Sequence, residues 1–166
     1  MVDIALRRLL PSDASWIYDA CQDTEIQRWT LVPRPYLIEH AKEFCSGGGP
    51  EEIQRWAIAD QSDHSRGLGV ISVHRIVDGV AELGYWVAPW GRGSRVCSRA
   101  VIDVVAWLEG FASNVAVTAK IASTNIASQR VVARAGFSAA GPTEELLPDG
   151  EAKAPGIIFR RELRDR

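Results

Sequence analysis

The chain opens with "DIALRRL" (3 to 9), which reads as a strand, and "PSDASWIYDACQD" (11 to 23), which reads as a helix with Ser12 or Asp13 placed to cap its first N–H groups. "DTEIQRWT" (23 to 30) is a short helical turn. "RPYLIEHAKEFCSGGG" (34 to 49) is a further helix, ended by glycines suited to a left-handed C-cap. Three β-rich runs follow, "EEIQRWAIAD", "GLGVISVHRIV" and "GVAELGYWVAP", separated by turn residues and best arranged as an antiparallel meander. "DQSDHSRG" (60 to 67) is then a hairpin loop.

A long helix is predicted over 93 to 111, with Val96, Ala100, Val101, Val104, Val105 and Leu108 on one face. After it come the strand "VAVTAKIA", the helix "NIASQRVVARAG" stopped by Gly136, and the strand "GIIFRREL". This order predicts one α+β domain over 1–166, with a mixed, mostly antiparallel sheet flanked by helices. The strand at 80 to 88 runs into the helix, and the helix leads to the strand at 115 to 122, so those two strands are expected to be parallel. Such a crossover puts free backbone N–H groups and the positive end of a helix dipole at the sheet's edge, where a pyrophosphate fits. Arg92 and Arg95 add positive charge at the same turn.

Composition narrows the classes. With 46% hydrophobic residues, 24% charged and a net charge of -2, the chain can bury a substantial core under an ordinary polar surface, which points away from nucleic acid. No apolar run reaches the length of a membrane span, and the first residues lack the layout of a signal peptide. Cys21, Cys45 and Cys97 are odd in number and form no CxxC pair, so a reducing, cytoplasmic setting is expected. His40, His64 and His74 do not cluster with cysteines at a ligand spacing, and no metal is expected.

In order and spacing, "LRRLLPSDASWIYDACQDTEIQRWT", "AELGYWVAPWGRG", "AVIDVVAWLEG" and "STNIASQRVVARAGF" resemble the GNAT superfamily of acyl-CoA-dependent N-acyltransferases. The likeness is closest to the Rim-type branch, which acetylates N-termini of ribosomal proteins. It implies a parallel strand pair splayed at the cofactor cleft, acetyl-CoA or another acyl-CoA as co-substrate, and an amine acceptor, small molecule or protein N-terminus, on a monomer or homodimer. It implies that Arg92, Gly93, Ser94 and Arg95 face the CoA phosphates, and that Asn125 and Ser128 contact the pantetheine arm and the sulfur. "GYWVAP" is implied to carry a bulge that turns the N–H near Val87 to the carbonyl oxygen. Glu25 and Trp29 match the segment over the acceptor pocket, with Tyr85 also assigned to the substrate.

Local readings stand beside these roles. Asn125 and Ser128 suit helix capping. Glu82 shares a strand face with Gly84 and Trp86, and is the candidate base, acting directly or through water. His74 reads as a satisfied core histidine rather than a second base. The family's phosphate signature wants glycine where Arg95 stands and a small residue where Cys97 stands, and a side chain at 95, on the first helical turn, is expected to obstruct the loop more than to pair with phosphate. Alternatives to an acyltransferase are therefore a non-catalytic GNAT-like binding module and an enzyme using another activated donor.

Overall fold

The computed structural model describes residues 2–47, 52–111 and 113–163. The strands are β1 (Ile4–Arg7), β2 (Gln54–Asp60), β3 (Gly67–Val77), β4 (Val80–Val87), β5 (Ala116–Ala122), β6 (Ser138–Pro142), β7 (Leu147–Asp149), β8 (Ala152–Ala154) and β9 (Gly156–Glu162). The helices are α1 (Ala14–Ala20), α2 (Thr24–Trp29), α3 (Ile38–Ser46), α4 (Val96–Leu108) and α5 (Ile126–Arg134). Seven strands form one sheet in the order β1-β2-β3-β4-β5-β9-β6, and β7 and β8 form a separate hairpin. Among the described residues only β4 and β5 pair in parallel, and every other pairing is antiparallel. The expected meander is β2–β3–β4, and its β3–β4 turn is the two-residue Asp78–Gly79 pair, both at positive φ as a primed turn requires.

Strand alternation sends side chains into two apolar layers. Ile71, Val73 and Leu83 face α4 and α5, where all six apolar positions read from the sequence of α4 are buried. Val70 and Ala88 lie in the opposite layer with Ile17 of α1, Ile26 of α2 and Ala41 of α3. The sheet is thus covered on both faces, and the helices of the N-terminal segment share one face.

Several predicted boundaries move. The segment from 11 is split into a 3-10 turn, Pro11–Asp13, and α1. Asp13 satisfies the N–H of Leu10 at 2.7 Å rather than one inside the helix, and also accepts from Trp16 Nε1 at 2.7 Å and from Arg7 at 2.7 and 2.8 Å. The third helix starts at Ile38, not 34, because Pro35 keeps the preceding residues out of the helical region. Gly47 ends it with φ 155° and ψ 153°, not the left-handed cap expected, while Gly48, Gly49 and Glu51 lie outside the described residues. β6, β7 and β8, between 138 and 154, occupy sequence to which no element was assigned.

The Arg7–Asp13 pair anchors β1 to α1, with the Asp13 side chain only 3% exposed. Burial pushes the Asp13 carboxyl up, but the bonds from Arg7, Trp16 and Leu10 outweigh it and hold the group below its ordinary value. Its contribution is therefore complete above the ordinary carboxyl pKa of about 3.9, and is lost as pH falls through the lower folded-state value. Asp13→Ala, which strands Arg7, is expected to cost about 3 kcal/mol in urea denaturation at pH 7. The gap to wild type narrows below about pH 4, and a loss under about 1 kcal/mol at pH 7 contradicts this role.

Candidate active site

β4 and β5 pair only from Val80↔Ala116 to Leu83↔Ala119. Beyond that point each strand follows its other neighbour: β4 stays with β3 as far as Gly69↔Val87, and β5 stays with β9 as far as Ala122↔Gly156. The two strands therefore diverge, as the resemblance implied, and open a cavity of about 1680 Å³ that reaches both faces of the sheet. Ala88 donates its N–H to Leu68 O on the β3 side at 2.9 Å, and Thr118 Oγ1 donates to Ala81 O on the β5 side at 3.3 Å. By alternation the N–H groups of Tyr85 and Val87 point into the gap. The bulge expected in "GYWVAP" is not there: the register from Gly69↔Val87 to Val73↔Leu83 is unbroken, and the shift falls between Val73 and Arg75 of β3. Regular alternation alone turns Val87 toward the opening.

At the mouth of the gap the chain turns through Pro89–Gly91, pinned by Trp90 Nε1 donating to Gly67 O at 2.8 Å. Gly93 has φ 83°, and Arg95 has φ 58° and ψ 16°. Arg95 thus stands just before α4, not on its first turn, and adopts the left-handed conformation for which glycine is the usual residue. The first helical bond runs from Arg99 N–H to Arg95 O at 3.1 Å. Among the described residues nothing accepts from the N–H groups of Gly93 through Ser98. These amides, with the positive end of the dipole, form an open cradle of the kind that suits an anion.

The side chains around the cradle are less as expected. Arg92 donates to Asp23, the N-cap of α2, on both of its terminal nitrogens. That bond, above all, lowers the Asp23 carboxyl. Ser94 and the exposed Arg95 line a cleft with Ser98, Arg99 and Arg134, outside the loop's own backbone. Cys97 is buried, and burial pushes its thiol up, as it does Cys21 and Cys45, both to about 11. None of the three is a ready thiolate.

Of Asn125 and Ser128, Asn125 is the helix cap, and Ser128 is the residue it caps. Asn125 Oδ1 accepts from Ser128 N–H at 3.1 Å and caps α5. Ser128 Oγ lies 2.8 Å from the Tyr85 hydroxyl, which also contacts Ser128 O at 3.3 Å. Tyr85, assigned from sequence to the acceptor, lines the cavity and spans from β4 to α5 on the α4–α5 side. Burial pushes its phenol well above the ordinary value, so it remains a neutral donor.

The other face holds the remaining residues. Glu25 accepts from Trp29 Nε1 at 3.0 Å, one turn along α2, and both line the cavity. The β7–β8 hairpin closes this side: Arg28 donates to Asp149 at 2.7 Å, and Thr124 Oγ1 does so at 2.9 Å. The two-residue turn of this hairpin is Gly150–Glu151, with Gly150 at φ 68°, and that glycine was the sequence signal for the hairpin. Glu82 is engaged on its own face, by Arg75 at 2.8 and 3.1 Å and by Lys120 Nζ at 3.7 Å. His74 is not the core histidine expected; its side chain is 50% exposed and lines the cavity. Among the described residues no cluster of His, Cys, Asp or Glu is arranged to hold a metal, and no helix is long and apolar enough to cross a membrane.

A mixed sheet with one splayed parallel pair, and a helix N-terminus open at the splay, is the GNAT arrangement. The acetyltransferase (GNAT) domain model matches residues 3–138, and the chain belongs to this family. RimL, a ribosomal-protein α-N-acetyltransferase solved with coenzyme A, is 16% identical with a TM-score of 0.83 over 96% of this chain and 94% of that one. The microcin self-immunity acetyltransferase MccE, solved with acetyl-CoA and AMP, is 16% identical with a TM-score of 0.84 over 97% and 93%. A spermidine N-acetyltransferase from Vibrio cholerae, solved with CoA and spermine, is 16% identical with a TM-score of 0.77 over 96% and 95%. By sequence, no curated protein matches the chain.

The backbone at Arg95 yields a stability test. A left-handed residue other than glycine costs about 1–2 kcal/mol, and glycine returns about 0.5–1 kcal/mol of this as chain entropy. Arg95→Gly should therefore raise stability by up to about 1 kcal/mol, whereas Arg95→Val, β-branched, should lower it by about 1 kcal/mol or more. A valine variant as stable as wild type in thermal denaturation contradicts the left-handed assignment.

Proposed function

We propose that the chain transfers an acetyl or similar short acyl group from acyl-CoA to a primary amine by direct attack. The observation that carries this reading is the run of unpartnered N–H groups from Gly93 to Ser98, at the mouth of a gap flanked by the Tyr85–Ser128 hydroxyl pair. The CoA and acetyl-CoA held by the similar structures support the donor.

In this mechanism the Gly93–Ser98 amides hold the pyrophosphate, with Arg95 adding charge from outside the loop and Arg92 standing beside it. Arg95 keeps the backbone a glycine would give, so its departure from the family pattern does not by itself argue for a binding module or another donor. Val87 N–H faces the gap and is the group to polarise the thioester oxygen as charge builds there. When Ser128 Oγ accepts from the Tyr85 hydroxyl, a bond either partner can donate, the Ser128 hydrogen is left to donate to the departing sulfur, and Asn125 fixes the start of α5 beneath it. Glu82 belongs to the acceptor face, where it must release Arg75 or Lys120 before taking a proton. Glu25 and Trp29 form the wall over the acceptor.

The acceptors named for the similar structures, protein N-termini and a polyamine, support a primary amine. An α-amine, with an ordinary pKa of about 7.7–8.0, is already partly neutral at pH 7, whereas a lysine near 10.4 is not. A weak base suffices for the former.

Calorimetric titration with acetyl-CoA should give saturable binding with a dissociation constant on the order of 10 µM, about -7 kcal/mol. No heat at millimolar acetyl-CoA overturns the reading. Ser128→Ala should lower kcat about tenfold, with a panel of α-amino peptides and polyamines as acceptors, and leave acetyl-CoA affinity unchanged, because a thiolate contact matters in the transition state. An unchanged kcat removes Ser128 from the reaction.

A further inference from the structure

The irregularity in the β3–β4 ladder falls on one residue. Val73 pairs with Leu83, yet Arg75 pairs with Glu82, so His74 is the extra residue of a β-bulge in β3. Gly84 pairs with Ser72 and is the diagonal neighbour of His74 on the same face, and a Cβ built there would meet His74 Nε2 at 1.9 Å and Cε1 at 2.7 Å. The imidazole therefore rests on bare backbone. Glycine inside a strand weakens it and marks a site of close approach. A bulge in one strand and a glycine in the next together lay a half-exposed imidazole on β4, at the residue immediately after the last β4–β5 pair, Leu83↔Ala119.

The ring is oriented from its other nitrogen. His74 Nδ1 is 3.5 Å from Ser72 Oγ and 4.0 Å from Glu52 Oε1. Glu52 is nearly enclosed, its side chain 10% exposed, and is held by Arg55, whose Nε donates to Oε1 at 3.1 Å. Arg55 in turn donates to Phe44 O at 2.6 Å and stacks on the Phe44 ring at 3.7 Å. A carboxylate accepts and cannot donate, so its place beside Nδ1 favours the hydrogen on that nitrogen. Nε2, over Gly84, is left with its lone pair.

We propose that His74 is the proton acceptor for the attacking amine, with Glu52 and Ser72 as positioning residues. The proposal rests on the acyltransferase reading. The amine nitrogen forms a bond to the thioester carbonyl carbon and gives its proton to His74 Nε2. The carbon–sulfur bond breaks with its electron pair on sulfur, which leaves as a thiolate hydrogen-bonded by the Ser128 hydroxyl and takes its proton from solvent. The imidazolium returns its proton to solvent. Glu82, bound to Arg75 and Lys120, holds the neighbouring wall.

The charged and titratable groups facing this part of the cavity include Glu52 and Arg55 beside the ring, Arg75, Glu82, Lys120 and Glu145 along the adjacent strands and the loop before β7, and His40 and Glu43 from α3. Nitrogen-15 spectra of the imidazole should show the hydrogen on Nδ1, against the Nε2–H form that free histidine prefers, and Glu52→Gln should weaken that preference. In His74→Gln, kcat/KM for the amine should fall about 100-fold or more, and the acidic limb of its pH profile, in the range where imidazoles titrate, should disappear. Acetyl-CoA affinity should not change. An Nε2–H form in wild type, or a His74→Gln rate within about threefold of wild type with the same limb, overturns the proposal. So does loss of the limb in Glu82→Gln but not in His74→Gln. Wild type that binds no acetyl-CoA removes the acyltransferase reading itself, a result distinct from intact binding with an unaltered His74→Gln rate.

Discussion

Two parallel strands that pair for four residues and then part are the constraint on which the rest of the molecule is built. Each is held on its far side by an antiparallel neighbour, so neither can bend back to close the gap. The inner edges past Leu83 and Ala119 carry backbone groups with no strand to meet them, and buried backbone groups seek partners. The crossover helix begins where β4 ends, which brings unpartnered helix amides to the same opening. Tyr85 and Ser128 then link β4 to α5 through a hydroxyl pair. Opposed polar edges, an anion cradle and a hydroxyl pair thus meet at one place as a consequence of strand pairing.

The face of the cavity lined by α2 is attached to the same frame. α2 is tied at its first residue to the cradle through Asp23 and Arg92, and at its middle to the β7–β8 hairpin through Arg28 and Asp149. Arg28 is the main cause that lowers the Asp149 carboxyl, with Thr124 just before α5 adding to it. This side of the cavity is therefore fastened to the segments that lead into α4 and α5, by charged contacts that salt screens and thermal motion opens more readily than apolar packing.

Much of this was legible in the sequence, for identifiable reasons. The buried stripe of α4 and the strand–helix–strand order appear in periodicity because burial in layers imposes it. The conformation of Arg95 does not appear, since a residue type expresses a preference for φ and the cradle overrides it. His74 was misread because a position near the sheet's centre suggests burial, whereas β4 and β5 part just past Leu83 and leave its face open to the cavity. Gly84 was the trace of the imidazole's close approach, a glycine within an otherwise ordinary strand. The pairing of Arg92 with Asp23, and of Glu82 with Arg75 and Lys120, joins positions distant in sequence or on adjacent strands, which spacing alone cannot rank. β7 and β8 are three residues each, too short for periodicity to register.

Amide hydrogen exchange with and without coenzyme A measures the central claim most directly, that the cradle and the splayed edge of β4 together receive the donor. Slowed exchange at Arg95–Ser98 and at Val87, with β1 and the β7–β8 hairpin unaffected, is the predicted result. Unchanged exchange at those amides under saturating coenzyme A, or protection confined to another surface, contradicts it.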